Sequence, residues 1–384
     1  MNTEILDLKK FADLNIYEIK KLIAEAAEEI KNGNVIAFPT ETVYGLGANA
    51  LSKEAVKKIF EIKGRPSDNP LIVHISSINQ IERLVDIKKN QNEKILLDRL
   101  TKAYKYWPGP ISFIFPANLQ VIPQITLGNL VTVALRYPDH KIAQSLIELS
   151  GCPIAAPSAN ISGKPSCTIA EDVYLDFKDR ISFIIDGGSS VYGIESTVVD
   201  LTSIRPAILR PGFITMEDLI IEFKDIEIQK KNDFTQNPRS PGMKYTHYKP
   251  DAKVILIFNR DEFEVSDNHE LLELKKLFSG KIIKAQDLPD DFFKQKRFIY
   301  LSGGDEFKNI QFKNKIKSIF NINLIYEYIY SNPYDFAKNI YSIFREADKK
   351  KIDFVMINQS IKNHGIELAI INRIVKAAEE IWVF

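Results

Sequence analysis

The chain has 384 residues, of which 45% are hydrophobic and 26% are charged. This composition is that of a globular protein with enough apolar side chains for a core in each of two or three domains. The formal net charge is +1, so the overall charge gives no reason to expect tight, non-specific binding to nucleic acid.

Short apolar runs alternate with helical patterns in the first part of the chain. Apolar spacing predicts a helix over residues 17–32, which ends at Gly33, and another over residues 53–63. Strands are predicted at residues 35–38, 71–75, 112–115, 131–135, 154–156, 181–185, 196–200 and 207–210. This alternation predicts an α/β or α+β domain that runs to about residue 222.

The segment of residues 230–250 differs in composition, with three prolines, one glycine and few aliphatic residues. It is predicted to be a linker, and its Arg239, Tyr245 and Tyr248 favour a functional linker over a plain spacer. Strands are then predicted at 253–258, 298–301 and 354–357, and helices at 271–278, 334–347 and 369–380. The predicted organisation is a first domain over 1–222, a linker over 223–250 that covers the active site, and a smaller α/β domain with an open sheet over 251–384.

Two polar loops follow predicted strands. Residues 39–47, PTETVYGLG, lie where α/β proteins bind small ligands, although a simple strand-to-helix turn explains the pattern equally well. The segment KGRPSDNP carries Lys63 and Arg65, and this pair of cations suits a phosphate or a carboxylate. A solvated basic turn is the alternative for that loop. His74 ends the strand that follows, where a histidine is more often a satisfied polar residue than a catalyst.

A loop of small residues, PIAAPSANISGKPS, follows the predicted strand at 154–156 and contains Ser158. Small side chains let backbone amides approach a ligand, while Ser158 lacks the Gly-x-Ser-x-Gly setting of a hydrolase nucleophile. Arg136 and Arg210 each end a predicted strand, which favours an anion site at one edge of the sheet. A surface salt bridge is the alternative for each arginine. No acidic or Cys/His metal motif occurs, so any Mg²⁺ is expected to be held mainly by the phosphates of a bound ligand and by water.

The chain is predicted to be cytoplasmic. Its N-terminus lacks a basic start followed by an apolar run, and no stretch of about 18 apolar residues occurs, so neither a signal peptide nor a membrane partner is expected. Cys152 and Cys167 lack the spacing of a zinc site or a disulfide framework, and reduced thiols are expected.

The ordered motifs PTETVYGLG, KGRPSDNPLIVH, WPGP, VALRYPDH, PIAAPSANISGKPS, DGG, ESTVVD and ILRPG resemble the YrdC-like family of threonylcarbamoyl-AMP synthases over most of residues 15–222. SPGMKYTHYKP, FAKNIYSIFREAD and GIELAIINRIVKAA resemble the longer, two-domain form. The resemblance implies a twisted mixed sheet with flanking helices, followed by a Rossmann-like open sheet. It also implies a nucleotidyltransferase that condenses L-threonine, bicarbonate and ATP into threonylcarbamoyl-AMP, the donor for N6-threonylcarbamoyladenosine in tRNAs that read codons starting with A.

The same resemblance implies residue roles. The residues expected near L-threonine are Thr42, His74, Arg136, Ala156 and Ser196. The residues expected near ATP are Arg65, Asn69, Thr132, Ser158, Asn160, Ser166, Arg210 and Tyr248, with Arg239 or Tyr245 as alternatives to Tyr248. Lys63 and Arg65 are the expected catalytic residues, because they would neutralise charge on the phosphates.

Three other interpretations remain at this point. The first is an RNA-binding module of YrdC-like fold, which the net charge of +1 disfavours. The second is a carbamoyl-transfer enzyme that makes a different acyl-adenylate. The third, compatible with the synthase, makes the C-terminal domain a docking module for the tRNA-modification transferases that receive the product. Contact with double-stranded RNA or tRNA is left open.

Overall fold

A computed structural model describes residues 2–88, 92–229, 248–259, 278, 280–289, 292, 295–303, 310–314, 316–317, 324–359 and 364–384. The chain divides into two compact units. The first unit comprises residues 1–162 and 166–245, and the second comprises residues 163–165 and 246–384. The expected division into a 1–222 domain, a 223–250 linker and a 251–384 domain stays a prediction.

Three helices of the first unit begin at residues whose side chains cap them, namely Asn15, Ser52 and Thr215. The helices in its described residues are α1 (Ile16–Leu22), α2 (Ala24–Lys31), α3 (Lys53–Lys63), α4 (Ile81–Leu84), α5 (Glu93–Ala103), α6 (Lys141–Ser150), α7 (Ala170–Phe177) and α8 (Met216–Leu219). The Ser52 side chain caps α3, and Gly64 ends it with φ +63°, so α3 matches its prediction. The helix predicted over 17–32 is two helices, which meet at Ile23.

A large mixed sheet forms the centre of the first unit. Its strands are β1 (Glu4–Asp7), β2 (Ile36–Phe38), β3 (Gly45–Asn49), β4 (Ile72–His74), β5 (Ile111–Pro116), β6 (Thr132–Arg136), β7 (Ile154–Ala155), β8 (Phe183–Asp186), β9 (Thr197–Asp200), β10 (Ala207–Arg210) and β11 (Glu227–Ile228). In the described residues they are ordered β1-β8-β2-β3-β7-β4-β6-β5-β9-β10-β11. The expected twisted mixed sheet is confirmed, and β11 lies inside the segment that was assigned to the linker.

Strand β3 occupies part of the loop predicted at 39–47. A Cβ atom at Gly47 would lie 2.6 Å from the Phe38 ring, and one at Gly45 would lie 3.0 Å from it. Only glycine therefore fits opposite this ring, where β2 and β3 pair. Glycine is depleted in strands generally, which is why residue preferences alone predicted a turn here.

One face of this sheet carries a row of polar side chains beside a small apolar patch. In-register pairing places His74 level with Arg136, and Ile114 level with Ala134. Because side chains alternate along a strand, Thr132 and Arg136 face the same side as Ala134. The apolar patch consists of Ile72, Ile114, Ala134 and Val198.

The second unit is a parallel sheet with helices. Its strands are β12 (Lys253–Phe258), β13 (Lys281–Lys284), β14 (Phe298–Gly303), β15 (Leu324–Tyr330), β16 (Phe354–Gln359) and β17 (Glu380–Val383), in the order β13-β17-β12-β16-β14-β15. Described helices are α9 (Pro333–Lys349) and α10 (Gly365–Ala377). The paired strands run parallel, and Trp382 packs in their core.

The prediction of a smaller open-sheet α/β domain is confirmed. The helix predicted over 369–380 extended too far, because its last residue belongs to β17. The helix predicted over 271–278 lies almost wholly outside the described residues. Within the described part of the chain, every helix is too short or too polar to cross a lipid bilayer.

Candidate active site

Three loops of the first unit are held together by backbone hydrogen bonds. The loops comprise residues 39–44, residues 157–162 together with 166–168, and residues 188–196. The amide of Ala159 donates to the carbonyl of Tyr44 at 2.7 Å, and the Tyr44 amide donates to the carbonyl of Cys167 at 2.9 Å. The amide of Tyr192 donates to the Glu41 carbonyl at 2.8 Å. The sequence predicted ligand binding for the first two loops, and the family resemblance implied it for Ser196 of the third. Folding brings the three loops side by side.

The Lys63 ammonium is buried against the loop of small residues. Lys63 is 2% exposed, and its Nζ donates to the carbonyl of Ser158 at 2.7 Å. The same Nζ donates to the carbonyl of Asn160 and, at 3.2 Å, to Asn160 Oδ1. Ser158 Oγ donates to Asn160 Oδ1 at 2.5 Å. These three predicted site residues therefore form one hydrogen-bonded group, in which carbonyl dipoles hold the charge in place.

Arg65 follows Lys63 by two residues, after the Gly64 that ends α3, and is also buried. Its Nη2 donates to the carbonyl of Pro70 at 3.2 Å and to the carbonyl of Asn69 at 3.5 Å. Asn69 is buried too, and within the described residues no protein group donates to its Oδ1. The loop that was predicted to bind an anion thus holds a buried guanidinium next to a buried amide, and both groups carry N–H donors of the kind that phosphate oxygens accept.

Arg136 ends β6 and forms a buried ion pair that the sequence analysis missed. Its Nη2 lies 2.7 Å from Oε1 of Glu41, and the two side chains are 5% and 4% exposed. Glu41 belongs to the motif PTETVYGLG, but nothing in that motif identifies the distant arginine that it meets. The pair is buried, which excludes the surface salt bridge that was the alternative for Arg136.

Arg210 ends β10 and holds Ser196 in place. Its Nε and Nη2 donate to the Ser196 carbonyl at 3.1 and 2.9 Å, and Nη2 also donates to Ser196 Oγ at 3.1 Å. Ser196 Oγ lies 2.9 Å from Oγ of Ser112 on β5. Strands β6 and β10 point the same way through β5 and β9, so Arg136 and Arg210 reach the same edge of the sheet, as predicted.

The remaining predicted residues of the first unit lie nearby in the sheet or in the three loops. Thr42 is buried, with Oγ1 2.9 Å from that of Thr40. Ala156 is buried, and its amide donates to the carbonyl of Ile72 at 3.0 Å, which joins it to β4. Thr132 begins β6, about 13 Å along the strand from Arg136.

Ser166 has a partner that the sequence did not indicate. Its Oγ donates to Oε1 of Glu195 at 2.6 Å, and both residues are buried. Tyr248 belongs to the second unit, where its ring stacks on Tyr341 of α9 with 5.2 Å between centroids. Its expected closure over the nucleotide stays a prediction. The alternatives, Arg239 and Tyr245, lie outside the described residues.

His74 is neutral in the folded protein at pH 7. Burial, and secondarily the charge of Arg136, lower the pKa of His74 to about 3. A neutral ring can donate or accept a hydrogen bond without adding charge. The predicted role of His74 beside a small amino acid therefore rests on shape and hydrogen bonding.

Acidification is expected to destabilise the protein through His74. Between pH 6.5 and about 3 the unfolded chain carries more protons than the folded one, so stability falls as pH decreases through this range. Each unit of pH lowers the free energy of unfolding by up to about 1.4 kcal/mol for this one group. Melting temperatures between pH 7 and pH 5 should fall less steeply in His74→Gln than in the wild type.

The matched control is His364→Gln, which changes an exposed histidine of the second unit. This variant should keep the wild-type pH dependence. Equal slopes for wild type and His74→Gln would contradict the assignment of a neutral, buried ring to His74.

The fold and these side chains define an α/β protein that buries four cationic residues in its first unit, and these residues form the candidate site. The exposed fractions of Lys63, Arg65, Arg136 and Arg210 are 2%, 8%, 4% and 5%. Residues 28–212 match the family model described as "Telomere recombination", and residues 213–379 match "Threonylcarbamoyl-AMP synthase, C-terminal domain". Among the described residues, no group of three or more His, Cys, Asp or Glu side chains is placed to hold a metal ion.

Relatives of known name align with nearly the whole chain. The threonylcarbamoyl-AMP synthase of Pyrococcus abyssi is 40% identical over 92% of this chain and 93% of its own length. That of Bacillus subtilis is 40% identical over 93% of this chain and 92% of its own length. A crystal structure of P. abyssi Sua5 complexed with L-threonine superposes with a TM-score of 0.74 at 36% identity, covering 100% of this chain and 99% of that one. The chain belongs to the threonylcarbamoyl-AMP synthase family.

Proposed function

We propose that this chain is an L-threonylcarbamoyladenylate synthase, which condenses L-threonine, bicarbonate or CO₂, and ATP and releases pyrophosphate. The observation that carries the proposal is that the first unit buries two separate sets of cationic side chains. One is the Lys63–Arg65 loop, and the other is the sheet edge of Arg136 and Arg210. Named relatives at 35–40% identity over most of the chain support the same activity.

The two sets of cationic residues act on different substrates, one on threonine and the other on ATP. In the reaction, the threonine ammonium first loses a proton to solvent, and the neutral amine bonds to the carbon of CO₂ and releases a second proton as the carbamate forms. A carbamate oxygen then attacks the α-phosphorus, and the bond from that phosphorus to pyrophosphate breaks. Arg136 holds the amino acid as an anion partner, and Ser196 and Thr42 supply hydroxyl groups beside it. Lys63 and Arg65 stabilise negative charge that grows on the phosphates.

Positioning is the main contribution of the protein in this proposal. Two reactants held in the right geometry can lower a barrier by about 7–11 kcal/mol. Carbamates are short-lived in water, so a buried site also protects the intermediate. The donor groups described above are cations, hydroxyls and amides, which fits Mg²⁺ that is bound mainly through ATP phosphates and water.

The product is proposed to serve the transferases that modify tRNA adenosine. Threonylcarbamoyl-adenylate is a mixed anhydride, so it can pass its acyl group to an amine while AMP leaves. Docking of these proteins on the second unit, contact with double-stranded RNA or tRNA, and a cytoplasmic location stay predictions.

A pyrophosphate-release assay tests the activity. The full chain, ATP, Mg²⁺ and bicarbonate should release pyrophosphate when L-threonine is added, and much less when L-serine or L-valine replaces it. Removal of bicarbonate should abolish release. Release that is independent of threonine or of bicarbonate would contradict the proposal, whereas RNA binding without any release would favour the RNA-binding module.

A further inference from the structure

Glu41 lies in the proposed threonine site without a role in the reaction described above. It is 3% exposed, and its carboxylate oxygen Oε1 lies 2.7 Å from Nη2 of Arg136. The backbone around it is fixed, because the Glu41 carbonyl accepts from the amide of Tyr192 at 2.8 Å. A buried carboxylate thus faces the guanidinium that is proposed to hold the carboxylate of threonine.

This ion pair retains hydrogen-bonding capacity that none of the described residues uses. Neither carboxylate oxygen of Glu41, nor Nε or Nη2 of Arg136, has a hydrogen-bond partner with good geometry in the described part of the chain. Buried ion pairs that only support a fold are stable when further hydrogen bonds satisfy their remaining donors and acceptors. The pair is therefore suited to take a further charged group on each side.

The charges around Glu41 are unbalanced towards the negative side. Asp139 is close enough to Glu41 for the Glu41 charge to contribute to raising the Asp139 pKa, after burial. His140 is also near Glu41, but burial lowers the His140 pKa to about 4, so its ring is neutral at pH 7. Tyr192 is uncharged at this pH because its pKa is raised from 10.0. Since His74 is neutral too, Arg136 is the cation that the described contacts place beside Glu41, and Asp139 is a second acidic group near Glu41.

We infer that Glu41 binds the α-ammonium group of the amino-acid substrate while Arg136 binds its carboxylate. This inference rests on the proposed function for the location of threonine. A zwitterion carries one charge of each sign at a short separation, and Glu41 and Arg136 present the opposite charges in the same way. Glu41 is thus a positioning residue that selects a ligand with a free amino group and directs its nitrogen.

To bind threonine, Glu41 and Arg136 must each interact with a charged group of the ligand as well as with one another. In the ligand-free contact, Glu41 and Arg136 neutralise one another. When threonine enters, its carboxylate adds a charge-assisted hydrogen bond to the guanidinium, and its ammonium adds another to Glu41. A ligand with a carboxylate but no ammonium would compete with Glu41 for Arg136, and it would form no compensating interaction with Glu41. The structure thus predicts strong discrimination against deaminated analogues.

Calorimetric titrations without ATP test this inference. The ligands are L-threonine and 3-hydroxybutanoate, which is threonine without its amino group. The wild-type chain should bind threonine at least about 10-fold more tightly. Glu41→Gln keeps the shape of the side chain and removes its charge, so threonine affinity should fall by about 10- to 100-fold. The affinity for 3-hydroxybutanoate should stay the same or increase.

Controls separate binding from folding. Glu4→Gln, on the exposed strand β1, should bind both ligands like the wild type. Glu41→Asp keeps the charge and should still prefer threonine, which supplies the test if Glu41→Gln does not fold. Equal weakening of both ligands, or unchanged threonine affinity, in a folded Glu41→Gln would overturn the role of Glu41 alone. A wild-type chain that binds neither ligand would overturn the proposed function as well.

Discussion

Lys63→Met is expected to lower kcat/KM for ATP by about 100- to 1,000-fold, the range seen when one preorganised donor to a developing charge is removed. Methionine keeps most of the length and packing of the side chain. It removes the ammonium that bridges the carbonyl groups of Ser158 and Asn160, so the loop loses its cross-link. It also removes the positive charge that is proposed to act on the phosphates. Pyrophosphate release at varied ATP concentration measures the change.

The matched control for this experiment is Lys57→Met. Lys57 lies on the same helix, α3, with its side chain 66% exposed and paired only with its neighbour Glu61 among the described salt bridges. This variant should keep wild-type kinetics. A folded Lys63→Met with near-normal turnover would remove Lys63 from the catalytic group and leave Arg65 as the phosphate ligand of this loop.

Arg210→Ala is expected to lower kcat/KM by about 10- to 100-fold for threonine as well as for ATP. The resemblance to the family assigns Arg210 to ATP, but its guanidinium also donates to both the carbonyl and the hydroxyl of Ser196. Without it, the buried Ser196 carbonyl loses its charged donor, and an unpaired buried group costs about 1–3 kcal/mol. The hydroxyl would then lose the orientation that also places it beside Ser112.

Arg205→Ala serves as the control, because Arg205 is exposed in the same β9–β10 connection. Varying threonine and ATP separately distinguishes the two roles of Arg210. A variant that loses affinity for ATP while its KM for threonine is unchanged would show that the contact with Ser196 is structural and that Arg210 serves the nucleotide alone.

Local patterns in the sequence were enough to predict the class of fold. Helix α3 has a capping residue at its start, Ser52, and a glycine at its end, Gly64, so its predicted bounds agree with the structure. Strand β3 was missed because its glycines are required by the Phe38 ring on another strand. The break at Ile23 and strand β17 were missed for a related reason, since helical spacing continued across residues whose conformation is decided by packing.

The sequence by itself determined which loops carry the polar and cationic side chains, because strand ends, glycines and charged residues are local signals. Only the tertiary structure decided which partners those side chains contact. Glu41 and Arg136 are 95 positions apart in the chain. Arg210 reaches Ser196 because β10 pairs with β9 in one particular register. Such pairings depend on strand order and register across the whole sheet, which no short segment of sequence encodes.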